Sequence, residues 1–338
     1  MGWLRSKDPL QVITFQTYGT EKSLYIKGRA LEDENIDLSK KNVFQLLINS
    51  WKRFETDEIR NAKLVLRLPD GWEHRFMADD EGYFLVKLPL EGRRLKANEE
   101  GWVTYEISFV DPDPKRRFNL GNRFPGEMML PPKTCDFGVV SDIDDTILHT
   151  GLISPLKWRV IYNTLFTTPG KRLPLTGAAD FYHRLHRGPS GDASNPIFYV
   201  SNSPWNLYRY LEFFLSENNF PKGPILLRSL SSFFKRHRKA SEENKPHKPT
   251  EILNILETYP DMPLILIGDS GEKDADIYME IAQRFPDRIK AIYLRTVAHN
   301  KKMLRVKGLF AGYKTTPVLF VENSKQAIQH AQENGFIK

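Results

Sequence analysis

The sequence predicts an α/β protein of two domains, a parallel sheet with flanking helices preceded by a smaller antiparallel β-sandwich. Three observations predict it. The chain has 338 residues, more than one hydrophobic core ordinarily serves. Its first part reads as short, often alternating apolar runs between turn signals, the pattern of half-buried strands. From Phe137 onward, unbroken apolar runs alternate with amphipathic segments, as expected of buried parallel strands covered by helices. The composition is globular, with 40% hydrophobic and 27% charged residues.

In the first domain, residues 1–130, strands are expected at SLYIKGRA (23–30), AKLVLRL (62–68), GYFLVKLPL (82–90) and WVTYEISFV (102–110). PDG (69–71), DDEG (79–82), NEEG (98–101) and DPDP (111–114) supply the turns between them. Phe44, Leu47, Ile48 and Trp51 recur at helical spacing, so one helix is expected within 40–60. The Pro-rich stretch FPGEMMLPPKTCD (124–136) marks the boundary.

The second domain, residues 136–338, opens with FGVVSDI (137–143) as its first strand. PIFYVSN (196–202), PILLRS (224–229), PLILIGD (263–269) and IKAIYLR (289–295) are the next strands. Helices are expected near 177–187, 204–218, 248–258, 274–284 and 324–334, with a further helical insertion near 150–190. Ser203 before Pro204 reads as an N-cap followed by proline at the first helical position, which would favour a bound anion there.

Some classes are excluded. A single cysteine, Cys135, allows neither an intrachain disulfide nor a cysteine-cluster zinc site. No run approaches the ~18 apolar residues of a membrane span. The first residues, MGWLRSKDPLQVITFQ, lack the apolar core of a signal peptide, so a cytoplasmic location is expected. The net charge is +7, and most of it falls on residues 136–338, with 27 Lys+Arg against 21 Asp+Glu. Such an excess attracts an anionic partner.

Ligands of parallel α/β sheets sit at the carboxyl ends of the strands. Asp142-Ile143-Asp144-Asp145-Thr146 follows the first strand, Ser201-Asn202-Ser203 ends the second, and Gly268-Asp269-Ser270-Gly271-Glu272-Lys273-Asp274 follows the fourth. His247-Lys248-Pro249 opens a helix. Carboxylates, hydroxyls and an ammonium group thus converge on one edge, and each suits phosphoryl transfer. A carboxylate such as Asp142 attacks phosphorus and carries the group as a mixed anhydride. A second carboxyl two residues on, Asp144, protonates the leaving oxygen and then deprotonates water. Clustered carboxylates repel unless a hard cation lies among them, and Mg2+ takes one or two carboxylates together with phosphate and water. Asp142 and Asp269 are the natural ligands, with Asp274 beside them and the backbone near Asp144 as another donor. Ser201 and Lys248 would hold the phosphoryl oxygens.

In this order and spacing the elements resemble the four motifs of the haloacid-dehalogenase-like phosphatases. More closely, FGVVSDIDDTILHTG, FYVSNSPWNLY, GPILLRS, HKPTEILNIL, LILIGDSGEKDADIY and AIYLR resemble the actin-patch-type phosphatidate phosphatases and their bacterial relatives. The β-rich half, with DDEGYF and TYGT, is similar to the region preceding the catalytic domain in those relatives. The resemblance implies a haloacid-dehalogenase-like fold, Asp142 as nucleophile and Asp144 as acid/base. It implies phosphate binding by Thr146, Ser201, Asn202 and Lys248, and Mg2+ binding by Asp142, Asp144, Asp269 and Asp274. Asn202 stands where a small hydroxyl residue is more usual, and Ser229 where an acid is. The implied reaction is hydrolysis of phosphatidate to diacylglycerol and phosphate. The alternatives are a phosphatase for another phosphorylated lipid or a soluble phosphomonoester, and a catalytically silent membrane-binding or scaffold protein. Retention of Asp142 and Asp269 argues against the last.

The remaining features read less sharply. Asp145, Asp276 and Glu272 are expected to be loop or helix-start acids, His149 a structural histidine, and Lys245 a weaker rival to Lys248. Arg228 and Arg295 end strands on the same edge, where an ion pair is as good a reading as phosphate contact. SFFKRHRKASEENKPHK (232–248) combines aromatic and basic residues that would suit peripheral contact with an anionic membrane or a solvated loop. LKWRVIYNTLF (156–166) is a second apolar-basic element. No nucleic-acid partner is expected.

Overall fold

The structure is a computed structural model that describes residues 8–32, 58–90, 92–93, 95–112, 116–118, 121–143, 177–228, 246–271, 273–297 and 299–338. The chain divides into two compact units, Met1–Leu130 with Asn206–Tyr210, and Pro131–Trp205 with Leu211–Lys338.

The first unit is built from β1 (Leu10–Phe15), β2 (Thr17–Tyr18), β3 (Ser23–Glu32), β4 (Lys63–Arg67), β5 (Glu73–Met77), β6 (Tyr83–Pro89), β7 (Trp102–Phe109) and β8 (Phe124–Met129). One sheet has the order β1-β3-β6 and the other β2-β8-β7-β4-β5. Alternation along the strands does what period 2 requires. Leu24 and Ile26 of the first sheet and Leu64, Leu66, Val103 and Ile107 of the second are buried in one shared apolar cluster. This is the expected sandwich, with one exception, because β2 pairs with β8 in parallel. The DDEG turn carries its own chemistry: Asp79 Oδ1 accepts from the backbone N–H groups of Glu81 and Tyr83. Gly82 completes it at φ 78°, and a Cβ there would lie 2.3 Å from the Ala30 carbonyl oxygen.

The second unit holds β9 (Gly138–Asp142), β10 (Ile197–Pro204), β11 (Ile225–Arg228), β12 (Leu264–Asp269), β13 (Ile289–Arg295) and β14 (Val318–Val321). Its described helices are α1 (Ala178–Arg187), α2 (Tyr208–Glu217), α3 (His247–Thr258), α4 (Asp274–Arg284), α5 (Asn300–Leu309) and α6 (Ser324–Glu333). All six strands run parallel in the order β11-β10-β9-β12-β13-β14. Every residue of β9 and β12 is buried, which explains their unbroken apolar sequences. Ile252, Ile255 and Leu256 of α3, and Ala275, Tyr278 and Ala282 of α4, are buried at the i, i+3, i+4 spacing of helices that each cover a core on one side.

The chain runs from β9 outward to β10 and β11, then returns to β12, so the strand order reverses between β9 and β12. In doubly wound sheets this reversal opens the crevice at the carboxyl ends where ligands bind. Ser141 lies opposite Ile267, and Asp142 opposite Val200. Asp142 and Asp269 therefore end the adjacent strands β9 and β12, and Ser201 lies one residue past the level of Asp142 within β10.

The helix after the second strand differs from expectation. β10 continues through Pro204, and Trp205–Leu207 form a single 3₁₀ turn before α2 begins at Tyr208. Ser203 is thus the penultimate residue of a strand rather than an N-cap, and its backbone N–H bonds to Ser201 Oγ. The expected helix within 40–60, up to residue 57, and the insertion from 150 to 176 lie outside the described residues.

Candidate active site

The site is assembled around Lys248. It is the second residue of α3, and its side chain is 1% exposed. Burying an ammonium group costs several kcal/mol unless carboxylates replace its water. Two do: Nζ donates to Asp142 Oδ1 at 2.9 Å and also to Asp274 Oδ1. Burial pushes the Lys248 pKa down, but Asp142 and Asp274 push it up by more, so the group stands well above the ordinary lysine range and stays charged.

Asp142 ends β9 and is fully buried. Behind it, Ser141 Oγ donates to the Asp142 carbonyl at 2.8 Å. That uses the only serine hydroxyl hydrogen, so in the 2.6 Å contact with Tyr182 the phenol donates to Ser141. Burial, with Asp142 nearby, pushes the Tyr182 pKa up and keeps it a donor.

Asp269 ends β12, and its Oδ1 accepts from the Gly271 N–H at 2.5 Å. Asp274 begins α4, where the helix dipole favours a carboxylate. Its Oδ2 accepts from the Asp269 N–H at 3.2 Å while Oδ1 takes Lys248. One turn on, Tyr278 donates to the Ile267 carbonyl at 3.0 Å, and burial followed by Asp274 raises its pKa. Gly268 makes this packing feasible, since a Cβ there would sit 2.6 Å from Asp274 Oδ2 and 2.7 Å from the Tyr278 ring. The loop is held from its far side: Ser270 Oγ donates to the Arg295 carbonyl at 2.6 Å, and Lys302 Nζ to the Gly271 carbonyl at 2.9 Å.

Of the residues expected at the site, Asp142, Lys248, Asp269 and Asp274 are joined in one buried hydrogen-bonded set. Ser201 is buried within the neighbouring strand β10, and Asn202 beside it is exposed. Asp144 and Thr146 lie outside the described residues, as do Asp145, His149, Ser229, Lys245, Glu272 and the segments 156–166 and 232–245. Asp276 pairs with Arg305 at 2.7 and 3.0 Å, in keeping with a helix-start acid. Sequence reading missed Tyr182 and Tyr278. Tyr278 was within reach, because i+4 spacing from Asp274 places both on one helix face. Tyr182 carries no local signal, since its role depends on how α1 crosses the sheet.

The donor set fits a hard divalent cation. Asp142, Asp269 and Asp274 bring buried carboxylate oxygens together in one hydrogen-bonded set, the hard donors such an ion prefers. Among the described residues no three His, Cys, Asp or Glu side chains form a closed cage for an ion. Mg2+ does not need one, because it keeps waters and binds through one or two carboxylates. Asp142 and Asp269 would hold it. Asp274, whose two oxygens are engaged by Lys248 and the Asp269 N–H, would orient the others.

Fold and site together define a doubly wound parallel α/β domain with a lysine-clamped cluster of buried acids at its switch point. Residues 137–296 match the family described as "Phosphatidate phosphatase APP1, catalytic domain", and this part of the chain is similar to it. Among curated proteins, the chain is 35% identical over 181 residues to phosphatidate phosphatase APP1 of Saccharomyces cerevisiae, covering 54% of this chain and 29% of that one. It is 30% identical over 288 residues to an uncharacterised protein of Schizosaccharomyces pombe, covering 83% of this chain and 41% of that one. The chain thus spans less than half the length of these relatives.

Proposed function

We propose that the chain is a Mg2+-dependent phosphomonoesterase that hydrolyses phosphatidate to diacylglycerol and phosphate through an aspartyl-phosphate at Asp142. The observation that carries this reading is the buried Asp142–Lys248–Asp274 array at the carboxyl end of the sheet. The family match over residues 137–296 and the name of the S. cerevisiae relative support phosphatidate as substrate.

In the proposed reaction an Asp142 carboxylate oxygen forms a bond to phosphorus as the bond to the glycerol oxygen breaks. Asp144 gives its proton to that oxygen, then removes one from water, which attacks phosphorus and releases Asp142. Lys248 holds the nucleophile's orientation and offsets charge gathering on the phosphoryl oxygens. Ser201 donates to one of those oxygens. Mg2+, when bound by Asp142 and Asp269, supplies further neutralisation of phosphoryl charge. The fully buried backbone around Asp142 and Asp269 limits reorganisation during transfer. A cytoplasmic setting belongs to this reading, with Cys135 as a half-buried thiol whose pKa burial pushes up.

The test is phosphate release from phosphatidate and from a panel of soluble phosphomonoesters. Phosphatidate should be preferred, EDTA should stop the reaction, and added Mg2+ should restore it. Equal rates on soluble esters would shift the substrate assignment, and turnover insensitive to EDTA would remove the metal.

A further inference from the structure

We infer that helix α5 is a docking face for an anionic lipid bilayer. Between Thr296 and Val321 the chain carries five basic residues, Lys301, Lys302, Arg305, Lys307 and Lys314, and no Asp or Glu. At ~100° per residue, Lys302, Met303, Val306 and Leu309 fall on one arc of α5, and Lys301, Leu304, Arg305, Lys307 and Gly308 on the other. Burial follows that division. Val306 is buried and its three companions are half-buried, whereas all five residues of the second arc are exposed.

Leu304 lies at the centre of the exposed arc with Lys307 on one side and Lys301 on the other. At 71% it is the most exposed large hydrophobic residue among those described. A single exposed leucine needs no explanation. Set among the lysines of a helix that carries no acid of its own, it can enter the acyl boundary while Lys301 and Lys307 meet lipid phosphates. Arg305, paired with Asp276, marks the edge of the face. The exposed arc carries no aromatic residue on which bases would stack, so a bilayer fits it better than a nucleic acid.

The helix is also placed to matter. Lys302, on its inner arc, bonds to the Gly271 carbonyl at 2.9 Å and so ties the first turn of α5 to the Asp269–Asp274 loop. The docking face and the candidate active site are thus linked through one hydrogen bond at the same sheet edge. This inference goes beyond the proposed reaction and does not depend on it, because vesicle binding involves no turnover.

The test uses the full chain in sedimentation with vesicles of phosphatidylcholine, alone or mixed with phosphatidylserine. Wild type should bind the mixed vesicles, release them at high salt and leave the neutral ones unbound. Each basic residue near an anionic surface contributes about fivefold to binding, so K301E/K307E should weaken it by at least about 20-fold. Leu304→Asp should weaken it about tenfold, and K301R/K307R should bind like wild type. All these positions are exposed, and thermal melts would verify folding. Folded K301E/K307E binding as tightly as wild type would overturn the inference. So would equal wild-type binding to neutral vesicles, or binding to a single-stranded RNA with none to vesicles.

Discussion

At the scale of single residues, Lys248 decides what the site is. Its ammonium group stands between two carboxylates that, without it, would face each other in a buried space. Replacing it with methionine, Lys248→Met, should therefore destabilise the protein by about 3–5 kcal/mol, read from the urea midpoint. The sign of the pH dependence follows from the raised pKa. A raised folded-state value means the lysine's contribution is fully present below its unfolded pKa and is lost as pH rises through the folded one. The stability gap between wild type and Lys248→Met should stay constant between about pH 6 and about pH 9, then shrink above about 10.4. A gap that closes near neutral pH would contradict the assignment. Asp142→Asn keeps an oxygen for Lys248 but removes the proposed nucleophile. It should leave the circular dichroism unchanged and cut phosphate release below about a thousandth of wild type.

At the scale of elements, the loop from β12 to α4 converts strand and helix ends into a site. Its geometry is set by backbone donors and by close approach at Gly268. Gly268→Ala would press a methyl group into Asp274 and the Tyr278 ring, and neither sits on a chain end free to swing away. The expected cost is about 1–3 kcal/mol in stability, with kcat reduced because Asp274 no longer orients Lys248. Differential calorimetry and steady-state kinetics on the same variant would check both, and an unchanged kcat would show that Asp274 tolerates displacement. On the neighbouring strand, Ser201 Oγ accepts the Ser203 N–H, which turns the serine hydroxyl hydrogen to other acceptors.

At the scale of the whole molecule, each of the two units contains its own buried apolar residues. Ile107 in the β unit is fully buried. Ile107→Ala should cost about 2–5 kcal/mol, localised to the core that holds it. Hydrogen exchange by mass spectrometry would resolve this. Peptides across β7 and β8 should lose protection, while those covering Gly138–Asp142 and Leu264–Asp269 keep theirs. Loss of protection in all of these peptides would mean one cooperative core. The net charge of +7 belongs to this scale as well, since its placement is uneven along the chain and an acid-free run coincides with α5.

By itself the sequence determined the class of the fold and the place to look for chemistry. Unbroken apolar runs such as PLILIGD can be buried on both sides only in a covered parallel sheet, and the residues following them must then lie along one edge. Asp142, Ser201 and Asp269 were legible for that reason, and Lys248 and Asp274 as polar residues at helix starts. Other elements were not. β14 is a half-exposed edge strand of four residues, and α5 has few apolar residues on a mostly basic face, so neither shows a strong period. The parallel β2–β8 pair and the extension of β10 through Pro204 depend on which strands meet, and local pattern does not encode that. Only the tertiary structure decided that Lys248 joins Asp142 to Asp274. A residue 106 positions from one partner and 26 from the other acquires its role through packing. The charge on a buried lysine is set by what surrounds it, and those surroundings exist only once the sheet and helices have come together.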